Sequence, residues 1–210
     1  MIPIGDENPY RKLFPFVTYA LLVINILVFY LEVKGGEVFI MAWSFVPVRF
    51  FANPTGDLVT LFTSMFLHAS LLHLGSNMLY LLIFGDNVES YFGHFKFLLF
   101  YLVSGIAGNL AQAYFSVNSA IPMLGASGAI AGVLGAYILL FPTKKVRVLL
   151  GFFVLRVPAL IVIGLWFLLQ LLNGVGSVAI TAESGGVAYL AHVGGFVVGF
   201  LLTALFRKKQ

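Results

Sequence analysis

The chain has 210 residues, of which 60% are hydrophobic and only 10% charged, with a mean hydropathy of +1.02. That composition excludes a soluble globular domain and reads as an integral membrane protein. The absence of cysteine excludes disulfides, thiol nucleophiles and thiolate-bound metals. The net charge of +4 does not call for a nucleic-acid partner, because the bases sit at the ends of apolar segments, where orientation in a bilayer accounts for them. Spans of about 20 residues leave room for roughly six helices in a single membrane domain over residues 1–210.

In chain order, residues 1–12 are a short polar lead that ends in Arg11 and Lys12. Phe14 to Val33 is the first span; it is too long for the apolar core of a signal peptide and lacks a following A-x-A-like site, so it is expected to be retained. Lys34 to Phe66 is interrupted by Gly35, Gly36, Pro47 and Pro54 yet rich in apolar residues, the pattern of an interfacial first loop built from short amphipathic helices. Trp43 and Arg49 in that loop read as headgroup anchors. The second span runs from His68 to Gly85, where His73 and Asn77 share a helical face and His68, five residues before His73, points elsewhere, nearer the mouth. Two histidines at that spacing without a carboxylate do not make a metal site. Asp86 and Glu89 end the span, and Glu89 is read as a loop-anchoring hydrogen bond or ion pair.

The third span, Phe95 to Phe115, carries Ser104, Gly105, Gly108 and Asn109, which suit close helix packing. After the loop Ser116 to Leu124, the fourth segment begins at Gly125-Ala126-Ser127-Gly128 and ends at Phe141-Pro142. From Ser127 onward it covers only about 24 Å against a hydrocarbon thickness near 30 Å, so its serine end lies below the membrane surface in a wet cavity. The fifth span runs from Arg156 to Leu172, separated by arginine and proline from Val146 to Leu155, and the sixth from Val187 to Phe206.

Arg11, Lys12, Lys96, Lys144, Lys145, Arg147, Arg156, Arg207, Lys208 and Lys209 fall on one side of this arrangement, and only Lys34 and Arg49 on the other. The positive-inside rule then makes both termini cytoplasmic, and the expected location is a prokaryotic cell membrane. His73, Ser127 and His192 come to similar depth near the outer face. Gly128 and Gly132, and Gly195 and Gly199, form small-xxx-small pairs that allow two backbones to touch, with His192 on the contact face. A Ser127 hydroxyl beside His192 has its general base, and the helix N-terminus beneath it favours developing negative charge. His73 and Asn77 are the side-chain donors available to an oxyanion, together with the Ser127 backbone N–H.

These residues are similar to the motifs of the rhomboid intramembrane serine proteases: Phe66-Leu67-His68-Ala69-Ser70-Leu71-Leu72-His73-Leu74-Gly75-Ser76-Asn77, then Gly85, Glu89 and Gly93, Gly125-Ala126-Ser127-Gly128, and Ala191-His192-Val193-Gly194-Gly195 with Gly199. The resemblance implies an all-α bundle of six transmembrane helices. It implies a Ser127/His192 dyad that hydrolyses peptide bonds in or beside transmembrane segments of other proteins, with His73 and Asn77 at the oxyanion and no metal or cofactor. The chain departs from the pattern in two places: Trp43 and Arg49 are not adjacent, and the position four after the serine, often aromatic, is Ala131. With Glu183 the only acid near the sixth span, His192 is expected to be loosely held. Two other classes fit the residues less well. A catalytically weak or inactive relative that binds membrane-protein clients would be expected to have lost Ser127 or His192, and a small transporter would be expected to show an internal repeat.

Overall fold

The structure, a computed structural model, describes residues 2–7, 13–179 and 186–206. Arg11, Lys12, Glu183, Arg207, Lys208 and Lys209 lie outside the described residues. A short strand β1 (Ile2–Asp6) precedes helix α1 (Phe16–Trp43), which breaks at Gly36. The first loop contains α2 (Pro47–Ala52), α3 (Pro54–Asp57), α4 (Thr60–Thr63) and a 3-10 turn at Ser64–Phe66. Then come α5 (Leu71–Phe92), α6 (His94–Phe115), α7 (Ser127–Leu140), β2 (Lys145–Leu150), β3 (Phe153–Pro158), α8 (Ala159–Ala179) and α9 (Tyr189–Phe206).

By length and composition, α1, α6, α8 and α9 can each cross a bilayer; Pro54–Phe66 and α5, bent by 79° across a short break, make a fifth candidate. Helix α7 has 14 residues, about 21 Å, and is shorter than the hydrocarbon core. It survives because it touches little but protein. Gly128 through Tyr137 are all buried, and α5, α6, α8 and α9 surround them.

The contacts that hold α7 are made by backbone. A β-carbon on Gly195 would fall on the Gly128 carbonyl, and one on Gly199 on the carbonyl of Gly132. Helix α6 joins the same seam, for a β-carbon on Gly108 would stand 2.6 Å from the Ala191 carbonyl oxygen. Between apolar helices in lipid there is no hydrophobic gain to drive association, so close packing and its dispersion energy carry the load.

Helix α5 runs seven residues past the expected end at Gly85, which places Asp86, Asn87 and Glu89 inside it, buried. Each polar group there is matched. The Glu89 carboxylate accepts from Val17 N (2.8 Å), Thr18 N (2.7 Å) and Thr18 Oγ1 (2.7 Å), and His94 Nδ1 lies 2.6 Å away. It therefore caps the otherwise bare N-terminus of α1. This is the anchoring role read from the sequence. Buried Glu32 accepts from His68 N at 2.9 Å and so ties α1 to the break before α5. Helix α8 likewise extends past Leu172.

Two expectations are corrected. Arg49 is engaged within the loop: its guanidinium donates to the carbonyls of Met41 (2.6 Å) and Ser44 (2.5 Å), with Nε 2.8 Å from Asp57 Oδ1. It staples the end of α1 to α3. The fold is also not all-α, because β1, β2 and β3 form an antiparallel sheet in that order. Alternation in Lys145-Val146-Arg147-Val148 and a two-residue turn at Gly151-Phe152 favour a hairpin. The first strand is fixed by Asp6 Oδ2, which accepts from Tyr137 OH (2.6 Å) and Asn87 Nδ2 (2.9 Å).

If backbone approach holds the bundle, Gly199→Ala should destabilise it by about 1–3 kcal/mol, because the obstacle is another helix's backbone and cannot rotate away. Gly164→Ala, where a β-carbon meets open space, should leave the thermal midpoint in detergent unchanged or raise it. Equal midpoints for both variants would contradict the packing account.

Candidate active site

Ser127 is the first residue of α7, and the chain reaches it through Gly125 at φ 130°, a left-handed conformation that side chains resist. The turn is built from outside as well. Gly125 N donates to the Ser64 carbonyl (2.9 Å), Met123 and Phe45 exchange backbone hydrogen bonds (2.7 and 3.1 Å), and Asn109 Nδ2 donates to Ser64 Oγ (3.0 Å) and the Leu61 carbonyl (3.0 Å). The first loop therefore shapes the approach to Ser127. Asn109, read as a packing residue, does this by pinning the loop to α6.

Helix α9 carries His192 into the seam, with Nε2 2.7 Å from Ser127 Oγ. Its Nδ1 lies 2.7 Å from Gln170 Oε1 on α8. Since that amide oxygen can only accept, Nδ1 bears the proton and Nε2 turns its lone pair to the serine hydroxyl. The Trp166 ring, one turn before Gln170, stacks on the imidazole with centroids 5.9 Å apart and planes 30° apart. The loose imidazole expected from Ala131 is thus not found. Support comes from α8 rather than from the turn below the serine.

His73 approaches from the other side. A β-carbon on Gly125 would stand 2.9 Å from His73 Cε1 and 3.6 Å from Ser127 Oγ, so the ring, the turn and the hydroxyl converge, and only glycine fits between them. Ser70 Oγ accepts from His73 N at 3.1 Å and starts α5 in this register. Asn77 follows one turn later on the same face, its Nδ2 buried with no partner among the described residues. An unpaired buried amide is costly to keep, and such a donor is ready for an incoming acceptor. Gly128, Gly195 and Gly199 lie in the helix seam.

His68 differs from expectation. It is fully buried, its ring edge-on to His73 with centroids 5.1 Å apart. Helical phase does not apply across the break at residues 67–70, so the five-residue spacing misled. Among the described residues, no three of His, Asp, Glu or Cys gather as a metal ligand set. Trp166 and Gln170 were missed from sequence, although a lone glutamine in the run Ala159 to Leu172 is the kind of polar group that a membrane helix keeps for a partner.

The structure thus brings a serine hydroxyl and an imidazole together at the start of a short helix within an apolar helical bundle. A family model, "Rhomboid domain", matches residues 55–209. "Rhomboid protein 1, mitochondrial" of Saccharomyces cerevisiae is 31% identical over 190 residues, 88% of this chain and 51% of that protein. "Rhomboid protease GluP" of Bacillus subtilis is 33% identical over 90% of this chain and 34% of its own length, and "Rhomboid protease AarA" of Providencia stuartii 30% identical over 72% of this chain and 57% of its own. The chain belongs to the rhomboid family and is an integral membrane protein. It spans between a third and just over half of these relatives' length. Because they come from mitochondria as well as bacteria, the likeness assigns no prokaryotic membrane.

Proposed function

We propose that this protein is an intramembrane serine endopeptidase that cleaves peptide bonds in or beside transmembrane segments of other membrane proteins. The observation that carries the reading is the chain of hydrogen bonds from Ser127 Oγ through His192 to Gln170, 2.7 Å at each step. Ser127 Oγ attacks the substrate carbonyl carbon while its proton passes to His192 Nε2. The oxyanion that forms receives hydrogen bonds from Asn77 Nδ2, the His73 imidazole and the Ser127 backbone N–H, whose helix has no acceptor for it. The proton then leaves His192 for the amine of the departing segment. Water repeats the sequence to release the acyl group. Gln170 acts as a positioning residue: it holds the tautomer but, being uncharged, cannot stabilise the imidazolium as a carboxylate would.

Proteolysis of a panel of transmembrane substrates, run beside labelling by a serine-directed phosphonate, tests this reading. Labelling and cleavage should vanish in Ser127→Ala and fall sharply in His192→Ala. Asn77→Ala should lower turnover on the order of 10-fold to 1,000-fold with little change in KM. Activity should decline towards acid, where the imidazole is protonated and no longer accepts a proton. A folded protein that binds such segments but leaves Ser127 unlabelled would be an inactive relative, and the proposal would fail.

The partners of this reading are transmembrane substrates and the bilayer, and residues 1–210 form one membrane domain. We place both termini in the cytoplasm and count six spans, α7 among them. The bases Lys96, Lys144, Lys145, Arg147 and Arg156 on one side support this. Reporter fusions after Lys145 and after Gln210 should read cytoplasm and one after Gly176 the outside. A reversed reading at Gly176 would contradict the orientation.

A further inference from the structure

The β2–β3 hairpin links α7 to α8, and its two faces differ. Val146 and Val148 are fully buried against the bundle, while Lys145 and Arg147, which alternate with them, are exposed on the opposite face. Cross-strand partners in an antiparallel pair share a face. The register Val146↔Val157, Val148↔Leu155 and Leu150↔Phe153 therefore continues the bundle-side face outward. Along it burial fades: Leu155 is 42% exposed, Leu150 51%, Phe153 72%, and Phe152 at the turn 101%. Strands of six residues reach about 20 Å, so the distal half of the hairpin outruns the helices it closes off.

The face that runs on uncovered is the one turned towards the helices, hence towards the bilayer those helices cross. In sequence it leads directly into a further exposed apolar stretch, for Leu160 and Ile161 at the start of α8 are 56% and 49% exposed. The other face is basic near the bundle, where it carries Lys145, Arg147 and Arg156, and apolar towards the turn, where Leu149 pairs with Val154, itself 56% exposed. Arg147 and Arg156 stand directly opposite each other across the strands, and with Lys145, Asp6 and Glu7 they line a cleft of about 200 Å³. Like charges in that position repel. Asp6 and Glu7 offset part of this charge, and the four bases Lys144, Lys145, Arg147 and Arg156 against those two acids leave a local excess of two positive charges.

We propose that this hairpin is seated on the membrane. Its apolar face rests at the headgroup–acyl boundary of an anionic leaflet, and its basic residues lie at headgroup level. It is the sheet counterpart of an interfacial amphipathic helix, which combines an apolar face with a Lys- and Arg-rich one in the same way. Anionic lipid is the fitting partner because several bases near a negative surface attract it within a Debye length.

The sequence has no cysteine, so Phe152→Cys, Phe153→Cys, Val154→Cys and Leu155→Cys each accept a single nitroxide label. In vesicles of phosphatidylcholine mixed with phosphatidylglycerol, accessibility to oxygen and to a water-soluble nickel chelate reports immersion. Labels at Phe153→Cys and Leu155→Cys should favour oxygen several-fold over the label at Val154→Cys, a period of two that follows the faces of the sheet. The ratio at Phe153→Cys should fall when phosphatidylglycerol is omitted, or when Arg147→Gln and Arg156→Gln are added. A label at Leu201→Cys, 54% exposed on α9, should favour oxygen throughout and verifies insertion of the bundle. Equal nickel accessibility at all four hairpin sites, or a ratio indifferent to lipid charge and to both arginines, would overturn the proposal.

Discussion

The approach of α7 and α9 at the distance of touching backbones is the constraint on which the rest depends. Ser127 and His192 are 65 residues apart in sequence and meet at 2.7 Å because Gly128 and Gly132 on one helix face Gly195 and Gly199 on the other, with no side chain between. A methyl group on Gly195 or Gly199 would collide with the backbone of Gly128 or Gly132 and push the two helices, and with them the two polar residues, apart. The same seam allows α7 to be short. A helix too short to span the hydrocarbon is stable only if its polar start is shielded from lipid by protein or water, and the loop drawn towards it by Phe45, Ser64 and Asn109 supplies part of that shield.

The imidazole is held from a different quarter. Trp166 and Gln170 belong to α8, much of whose surface faces away from the bundle, with Leu165, Leu168, Leu169 and Leu172 all exposed. The tautomer of His192 therefore depends on a helix that the glycine seam does not include. Where α8 stands decides whether Nε2 keeps its lone pair towards Ser127.

Much of this was legible in the sequence, for physical reasons. Apolar run lengths gave the long helices, and small residues at four-residue spacing gave the seam. Polar side chains isolated in those runs gave Ser127, His192, His73 and Asn77, because a membrane tolerates such groups only where they find partners. Gln170 carries the same signal, but its partner His192 lies on another helix, and nothing local to α8 announces the pairing. Asp86 and Glu89 read as the end of a helix because the groups that hold the Glu89 carboxylate inside it, Val17 and Thr18 at the start of α1, come from packing that no local pattern reveals. The sheet was hidden for a related reason: its first strand is 139 residues from the second, and Ile2-Pro3-Ile4 is too short to announce a strand alone. His68 shows the limit of periodicity, which has no meaning across a break in the helix.

The central claim is that Gln170 fixes His192 with its proton on Nδ1, leaving Nε2 free to act as the base for Ser127. Nitrogen-15 NMR of the imidazole in histidine-labelled protein, with His192 assigned by difference against His192→Asn, reads that proton directly. At neutral pH, His192 should show a protonated Nδ1 and an unprotonated Nε2, and Gln170→Leu should erase the preference while leaving His68, His73 and His94 unchanged. A proton found on Nε2 of the resting protein, or a tautomer indifferent to Gln170→Leu, would contradict the account.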